Sequence, residues 1–566
     1  MSSVIFFERL SSRMSSLQKK YFNSPLKASL RILVWSLREF CKIILERILH
    51  GARSWQAAGR PGKEINILVS VDGALGDVLI SGLAIQELSK RINYPHRIDV
   101  IPSNANIISD LRNIFEGCKF LNVIEISASA SKIYDVSMRI NRFIAIIACN
   151  SRRIGKKSPW LNFFCKLNEA FQKKHFLFLG GPHGAHALLC QWSILNNQKR
   201  IQQPDQNKLL EISDKTRTFL NIQPSAFAFL EDLELQKTQY ITIQRGVNHY
   251  ANTRICTRTW PIRHYEKFVK LFHEAFPSIK VVQLGYSRET CNPIGDVDIE
   301  LLGKTSMAQL IALLKHSIFH LDGDAGMVHM KKFLNGKSIV MFGPTSAELL
   351  AYPENINITG NKCQSWCEWL TDDWLKACPR GYAEAPCIAS ITPEMVMEAA
   401  KKIIGDRKEY FYSVIAKNLC EDEIVDYISK QNRDREIKIV DVFNRNGLAL
   451  AMKLRHNFDD ITVFDREFKY DSFAKAREEG LELEYGCLHN ISMADDSSDV
   501  VIWQNSSRST PALEYILKEL LRILKPKGLL VISGVFFQEM QLKQFNLDID
   551  SFSRNEDATV LTKTLQ

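Results

Sequence analysis

No stretch of the 566-residue chain reaches 18 consecutive apolar residues, so nothing in it has the length of a bilayer-spanning helix. The opening "MSSVIFFERLSSRMSS" lacks a long apolar core and a small-residue cleavage site, so a secretory leader is not expected and the cytoplasm is the expected location. Cysteines number 13, an odd count, and are scattered, unlike the paired pattern of a secreted disulfide scaffold. Zinc-finger, RNA-binding and heptad signatures are missing, so no nucleic-acid partner is expected despite a net charge of +10. The first glycine-rich turn, "GALGDV" (73–78), does not have the G-x-G-x-x-G spacing of a dinucleotide fingerprint.

The basic charge is concentrated at one end. Residues 1–62 hold 11 Lys+Arg against 3 Asp+Glu, leaving only +2 for the rest. Within this arm, Leu26, Leu30, Leu33, Leu37, Cys41, Ile44 and Ile48 recur at helical spacing, flanked by Lys27, Arg31, Arg38 and Lys42. Such a helix over 26–49 either lies on an anionic membrane surface or packs on its own protein or a second subunit. A chain of this length predicts three or four domains, and 45% hydrophobic with 24% charged residues is ordinary globular composition.

Beyond the arm, apolar runs alternate with helical patterns. "INILVSV" (65–71), "HRIDVIPS", "NVIEIS" and "FIAIIA" (143–148) read as strands of a first doubly wound unit. A second begins at "QYITIQRG" (239–246) and ends with "TPEMVMEAAKKII", where Thr392 and Pro393 make an N-cap and first-turn pair. A third begins near "EIKIVDVF" (436–443), after the polar linker "SKQNRDRE" (429–436).

Three loops between strand and helix carry the candidate chemistry. In the first, Gly73 and Gly76 clear space beside Asp77, whose carboxylate either caps the helix or faces a ligand. In the second, Arg245 ends a strand, and Arg254 and Arg258 precede the helix opened by Trp260-Pro261; arginines there suit a phosphate, or form a solvated basic loop. In the third, "LDGDAGMVHM" (321–330) ends a buried strand with Asp324 and Gly326 and begins a helix holding His329, and "FGPTS" (342–346) adds Thr345 one strand later. Loops at the carboxyl ends of strands are where open α/β sheets bind ligands.

The ordered set "ILVSVDGALGDVLISGLAIQEL", "ITIQRG…RTWPIRHYEKFVKLF", "VVQLG", "LLGKTSMAQLIALLKHSIFHLDGDAGMVHM" and "SIVMFGPTS" resembles glycosyltransferase family 9, the bacterial ADP-heptose:lipopolysaccharide heptosyltransferases and their relatives, over about residues 63–405. The resemblance implies a GT-B fold: a Rossmann-like acceptor-side domain (63–215) and a Rossmann-like nucleotide-sugar domain (239–405). It implies inverting transfer with Asp77 as general base and Arg258, where the family usually has lysine, offsetting the departing diphosphate. Asp324, Gly326 and His329 match the family's Asp-x-Gly-x-x-His element, with Ala325 where a threonine is usual, and Arg245 and Thr345 complete the donor side. The implied donor is a nucleotide-sugar, ADP-heptose first. The acceptor is a glycan, lipid or protein of the bacterial cell envelope, reached by peripheral contact with the inner membrane if the arm binds one. No metal is needed for the transfer. Cys363, Cys367, Cys378 and Cys387 gather within 25 residues; four thiolates suit tetrahedral zinc or iron, and family relatives carry a cluster here, some holding iron. Reduced or partly paired cysteines are the other reading.

The last unit (431–566) resembles class I S-adenosylmethionine methyltransferases in "IKIVDVFNRNGLALAMKL", "ITVFD", "DDSSDVVIWQ" and "LLRILKPKGLLVISGV". Asp441, Gly447 and Asp465 mark what is left of a cofactor site. Phe443 and Arg445 replace two glycines of its loop, Cys487 stands near the place of an acidic residue, and "KPKG" replaces "KPGG". Cofactor contact requires absent side chains there, so a degenerate, non-catalytic domain is favoured and S-adenosylmethionine is doubtful. The expectation is a glycosyltransferase. Its rivals are a bifunctional glycosyltransferase/methyltransferase, a non-catalytic scaffold and a lectin-like binder.

Overall fold

The computed structural model describes most of residues 64–149, 220–245, 256–405, 408–504 and 513–533, and the strands at 552–555 and 558–565. The basic arm, with its 26–49 helix, lies outside the described residues, as does 150–219.

Three sheets follow one another along the chain. The first contains β1 (Ile65–Val71), β2 (His96–Pro102), β3 (Leu121–Val123), β4 (Val136–Ile140) and β5 (Ala145–Cys149), in the order β3-β2-β1-β4-β5. Its first four strands are parallel, and β5 runs antiparallel to β4. The sequence suggests a continuing βαβ rhythm here and does not reveal β4. Only residues 141–144 separate β4 from β5, too few for a parallel crossover, so a hairpin forms. Helix α1 (Ile108–Ile114) covers this sheet, with Leu111 wholly buried.

Helix α2 (Ser225–Asp232) leads into the second sheet: β6 (Tyr240–Gln244), β7 (Lys280–Leu284), β8 (Ile299–Glu300), β9 (Phe319–Gly323), β10 (Lys337–Phe342) and β11 (Ile356–Thr359). The order is β11-β10-β9-β6-β7-β8, with all pairs parallel. Helix α3 (Ile262–Ala275) buries Tyr265, Phe268, Val269 and Phe272, one face of a 3.6-residue period. Helix α4 (Met307–His316) starts on a capping box in which Ser306 Oγ accepts from Gln309 N and Gln309 Oε1 accepts from Ser306 N. Helix α5 (Gly326–Phe333) follows β9, and α6 (Pro393–Gly405) begins where Thr392 Oγ1 accepts from Met395 N at 3.3 Å.

The third sheet takes its first strand from ahead of residue 431. β12 (Lys408–Ala416) precedes helix α7 (Glu421–Gln431), which absorbs the start of the stretch read as a linker. Next come β13 (Lys438–Val442), α8 (Ala449–Arg455), β14 (Asp460–Asp465), β15 (Glu482–Tyr485), β16 (Ser498–Gln504), α9 (Leu513–Ile523), β17 (Leu524–Ser533), β18 (Phe552–Asn555) and β19 (Ala558–Leu565). The order is β15-β14-β13-β16-β17-β12-β19-β18. β12 is parallel to β17 and antiparallel to β19.

One buried cluster joins all three units, from Val69 and Leu111 through Phe227, Leu313 and Phe333 to Ile439 and Tyr515. Helix α4 is central to it, touching both α1 and α2.

Candidate functional site

In the second sheet, β6 and β9 are neighbours, and the strand order reverses between them. At such a switch point the loops leaving adjacent carboxyl ends diverge and open a crevice. Arg245 follows β6, and Asp324, Gly326 and His329 follow β9.

The loop that carries Arg258 is fixed at both ends. Thr257 donates from Oγ1 to Trp374 O at 2.8 Å and from N to Leu375 O at 3.1 Å. Trp260, 1% exposed, donates its indole N–H to Ile391 O at 2.8 Å. Arg258 is thereby held against β9, where Nη2 lies 3.1 Å from Asp324 Oδ2. Gly323 leaves room beneath it: a Cβ there would lie 3.0 Å from Arg258 O, so the loop would have to give by a few tenths of an ångström. The Nε atoms of Arg245 and Arg258 are both buried without a hydrogen-bond partner among the described residues. Buried donors rarely go unmatched, so two guanidinium groups with unused capacity at one crevice suit an anionic ligand.

Below them Asp322 and Tyr265 are matched. Asp322, 3% exposed, accepts from Gly323 N at 2.7 Å and sits 3.4 Å from His320 Nε2. Burial pushes its carboxyl above the ordinary range, against His320, the Gly323 amide and the Arg258 charge. Tyr265 donates its hydroxyl to Gln244 O at 2.8 Å, bracing the end of β6.

The first unit meets this crevice at Gly76. A Cβ on Gly76 would come within 2.8 Å of His329 Cδ2, 3.3 Å of Nε2 and 3.5 Å of Gly326 Cα. His329 Nδ1 lies 2.7 Å from the Tyr352 hydroxyl, and the two rings meet edge to face. Burial, with the Asp324 charge added, pushes the Tyr352 phenol up, so it keeps its proton at neutral pH.

The structure thus brings together Gly76, Arg258, Asp324, Gly326 and His329, and puts Arg245 on the adjacent strand end. Thr345 is buried in the loop after β10. Gly73, Asp77 and Arg254 lie outside the described residues, although Val78 and Leu79, just after Asp77, are buried. Sequence reading missed Tyr352, because no spacing in "LAYPEN" points to His329.

The cysteine cluster is only partly described. Cys363 and Cys387 pack against the second sheet's core, and Cys363, Cys378 and Cys387 are in no disulfide. Among the described residues no three His, Cys, Asp or Glu side chains converge to hold a metal ion, and Cys367 is outside them. In the third unit, Asp441 is fully buried within β13 and Asp465 ends β14, while Gly447 lies outside the described residues.

Comparison with known proteins finds two family matches, one curated relative and several solved structures of low similarity. Residues 182–370 match the family described as glycosyltransferase family 9 (heptosyltransferase), and residues 446–532 match a methyltransferase domain. Lipopolysaccharide heptosyltransferase 1 of Campylobacter coli is 24% identical over 234 residues, 37% of this chain. The match spans 65% of that relative, just under two thirds of its length. Among solved structures, the E. coli ADP-heptose lipopolysaccharide heptosyltransferase II is 17% identical, covering 60% of this chain and 98% of its own, with a TM-score of 0.35. A family 9 glycosyltransferase from Veillonella parvula is 12% identical over 60% of this chain and 98% of its own, with a TM-score of 0.38.

Proposed function

We propose that this chain, which joins a glycosyltransferase family 9 segment to a methyltransferase-type segment, transfers a sugar from a nucleoside-diphosphate sugar to a bacterial cell-envelope acceptor with inversion. The observation that carries the reading is the pair of buried guanidinium nitrogens without partners among the described residues at the β6/β9 crevice, beside the Gly76 loop of the first unit. ADP-heptose is the first donor to test, because the matched family and the Campylobacter relative are heptosyltransferases.

In the proposed reaction an acceptor hydroxyl oxygen attacks the anomeric carbon as its bond to the diphosphate oxygen breaks. Asp77 takes the hydroxyl proton as general base. The electron pair leaves on the nucleoside diphosphate, whose added charge is met by Arg258 and Arg245 and by the amide at Gly326, where α5 begins. Asp324 accepts from Arg258 and is placed to take sugar hydroxyls, His329 closes the seam next to Gly76, and Thr345 supplies a hydroxyl from the next loop. Direct displacement of this kind asks nothing of a metal. The basic segment 26–49 brings the enzyme to the inner membrane, where a lipid-linked acceptor lies; no helix among the described residues is long and apolar enough to cross it.

The test is nucleoside diphosphate release from a panel of nucleotide-sugars with bacterial lipid and protein acceptors, wild type against Asp77→Ala. Release that needs an acceptor and disappears in the variant supports the reading. Absence of release from folded protein with every donor favours a scaffold or a lectin-like binder.

A further inference from the structure

A nucleoside cofactor on the third sheet would lie along the carboxyl ends of β13, β14 and β15, with the backbone exposed to it. The residues present do not fit one. Phe443 and Arg445 stand where its loop needs glycine. The loop leaving β15 is buried against the rest of the chain, with Cys487 at 4%, His489 at 7% and Asn490 at 1% exposure. Cys487 Sγ donates to Leu220 O at 3.8 Å, and Asn490 Nδ2 lies 3.2 Å from Leu220 O and 3.3 Å from Phe333 O. At the end of β15, the edge that would face a ligand packs against the sugar-transferase body instead.

Further contacts reinforce this docking. Asn335 Nδ2 donates to Ile491 O at 2.9 Å. Lys315 Nζ lies 2.6 Å from Glu519 Oε1, with both side chains almost wholly buried. Glu519 also accepts from Ile491 N at 2.9 Å, and Arg522 donates to Ile491 O at 2.7 Å and Met493 O at 2.8 Å. Phe227 of α2 stacks on Tyr515 of α9, with centroids 4.1 Å apart and rings 14° from parallel.

These contacts converge on one end of α5. The last carbonyls of a helix have no partner within it. Here Phe333 O accepts from Asn490 and Leu334 O accepts from Lys315 Nζ at 3.0 Å. The other end of α5 begins at Gly326, in the candidate site. We propose that the methyltransferase-type unit is a cofactor-free brace: its former ligand edge grips Leu220 and the end of α5, and so fixes where Gly326 and His329 stand. Only this last step rests on the glycosyltransferase reading.

Two measurements on the full chain test the brace without using turnover. Titration with S-adenosylhomocysteine at millimolar concentration is expected to give no binding signal; saturable binding overturns the proposal. Amide hydrogen exchange is expected to rise roughly tenfold across 326–335 and 222–232 in Asn490→Ala, with α3 unchanged. Asn335→Gly is the second variant: position 335 has φ of 57°, where glycine is at ease, so it removes the side chain without straining the turn. Exchange across 326–335 that stays at the wild-type rate in the variants that fold overturns the proposal. Failure of every sugar donor would leave both results standing and would count only against the glycosyltransferase reading.

Discussion

At the carboxyl edge of the second sheet, Arg245 and Arg258 each keep a buried Nε that no group among the described residues occupies. At the corresponding edge of the third, Asn490 and Cys487 are engaged with carbonyls of the rest of the chain. Both sheets have a parallel doubly wound core, so topology does not separate them. The difference lies in what their loops do with polar capacity: one leaves part of it unspent, and the other turns it inward as packing. An α/β edge is a site only while its donors remain unspent.

The contrast can be broken from the active side first. Asp77→Ala should lower kcat for nucleoside diphosphate release by about 10²–10⁴-fold, with thermal stability unchanged. Arg258→Ala should lower kcat about 10²-fold, since in the proposed reaction it removes charge where the diphosphate departs, and Arg258→Lys should restore part of the loss. Gly76→Ala should reduce kcat/KM roughly tenfold, because a methyl group 2.8 Å from His329 Cδ2 holds the two halves apart by a few tenths of an ångström at the seam. Steady-state kinetics with a calorimetric melt of each variant checks all three.

From the packed side, the edge should answer to pH rather than to substrate. Burial opposes ionisation of Glu519, but Arg522 and Lys315 outweigh it and hold the carboxyl at about 2. Its ordinary value is 4.5. A depressed carboxyl contributes stability above that value and loses it as pH falls from 4.5 through about 2. Acid titration followed by circular dichroism should show a loss in that window, and Glu519→Gln should be less stable at neutral pH and flatter across the window. Tyr352→Phe should have the smallest effect, a roughly threefold drop in kcat/KM from losing one hydrogen bond to His329.

Much of this contrast was legible in the sequence. The second sheet's strands stand out because "YITIQ", "KVVQL" and "FHLDG" are runs of mostly buried residues between helical patterns. The loops with Arg258 and with Asp324, Gly326 and His329 were readable because glycine, aspartate and arginine cluster at strand ends. β4 was hidden because its "VSMRI" alternates with Ser137 and Arg139 and so resembles a loop. The brace could not be read at all: Asn490 meets Leu220 and Phe333, and Lys315 meets Glu519, across separations that no local pattern encodes. Nor could the Tyr352–His329 contact, which depends on how β10 and the chain after it return past α5.

On the ribosome, β12 emerges before either of its neighbours exists. β17 begins at Leu524 and β19 at Ala558, both far along the chain from β12. Until they arrive, the backbone of Lys408–Ala416 is an open edge that other strands can pair with. A premature stop before residue 558 would leave that edge open for the life of the protein. Residues translated late complete a sheet begun well before them, so loss of β19 is damage to β12.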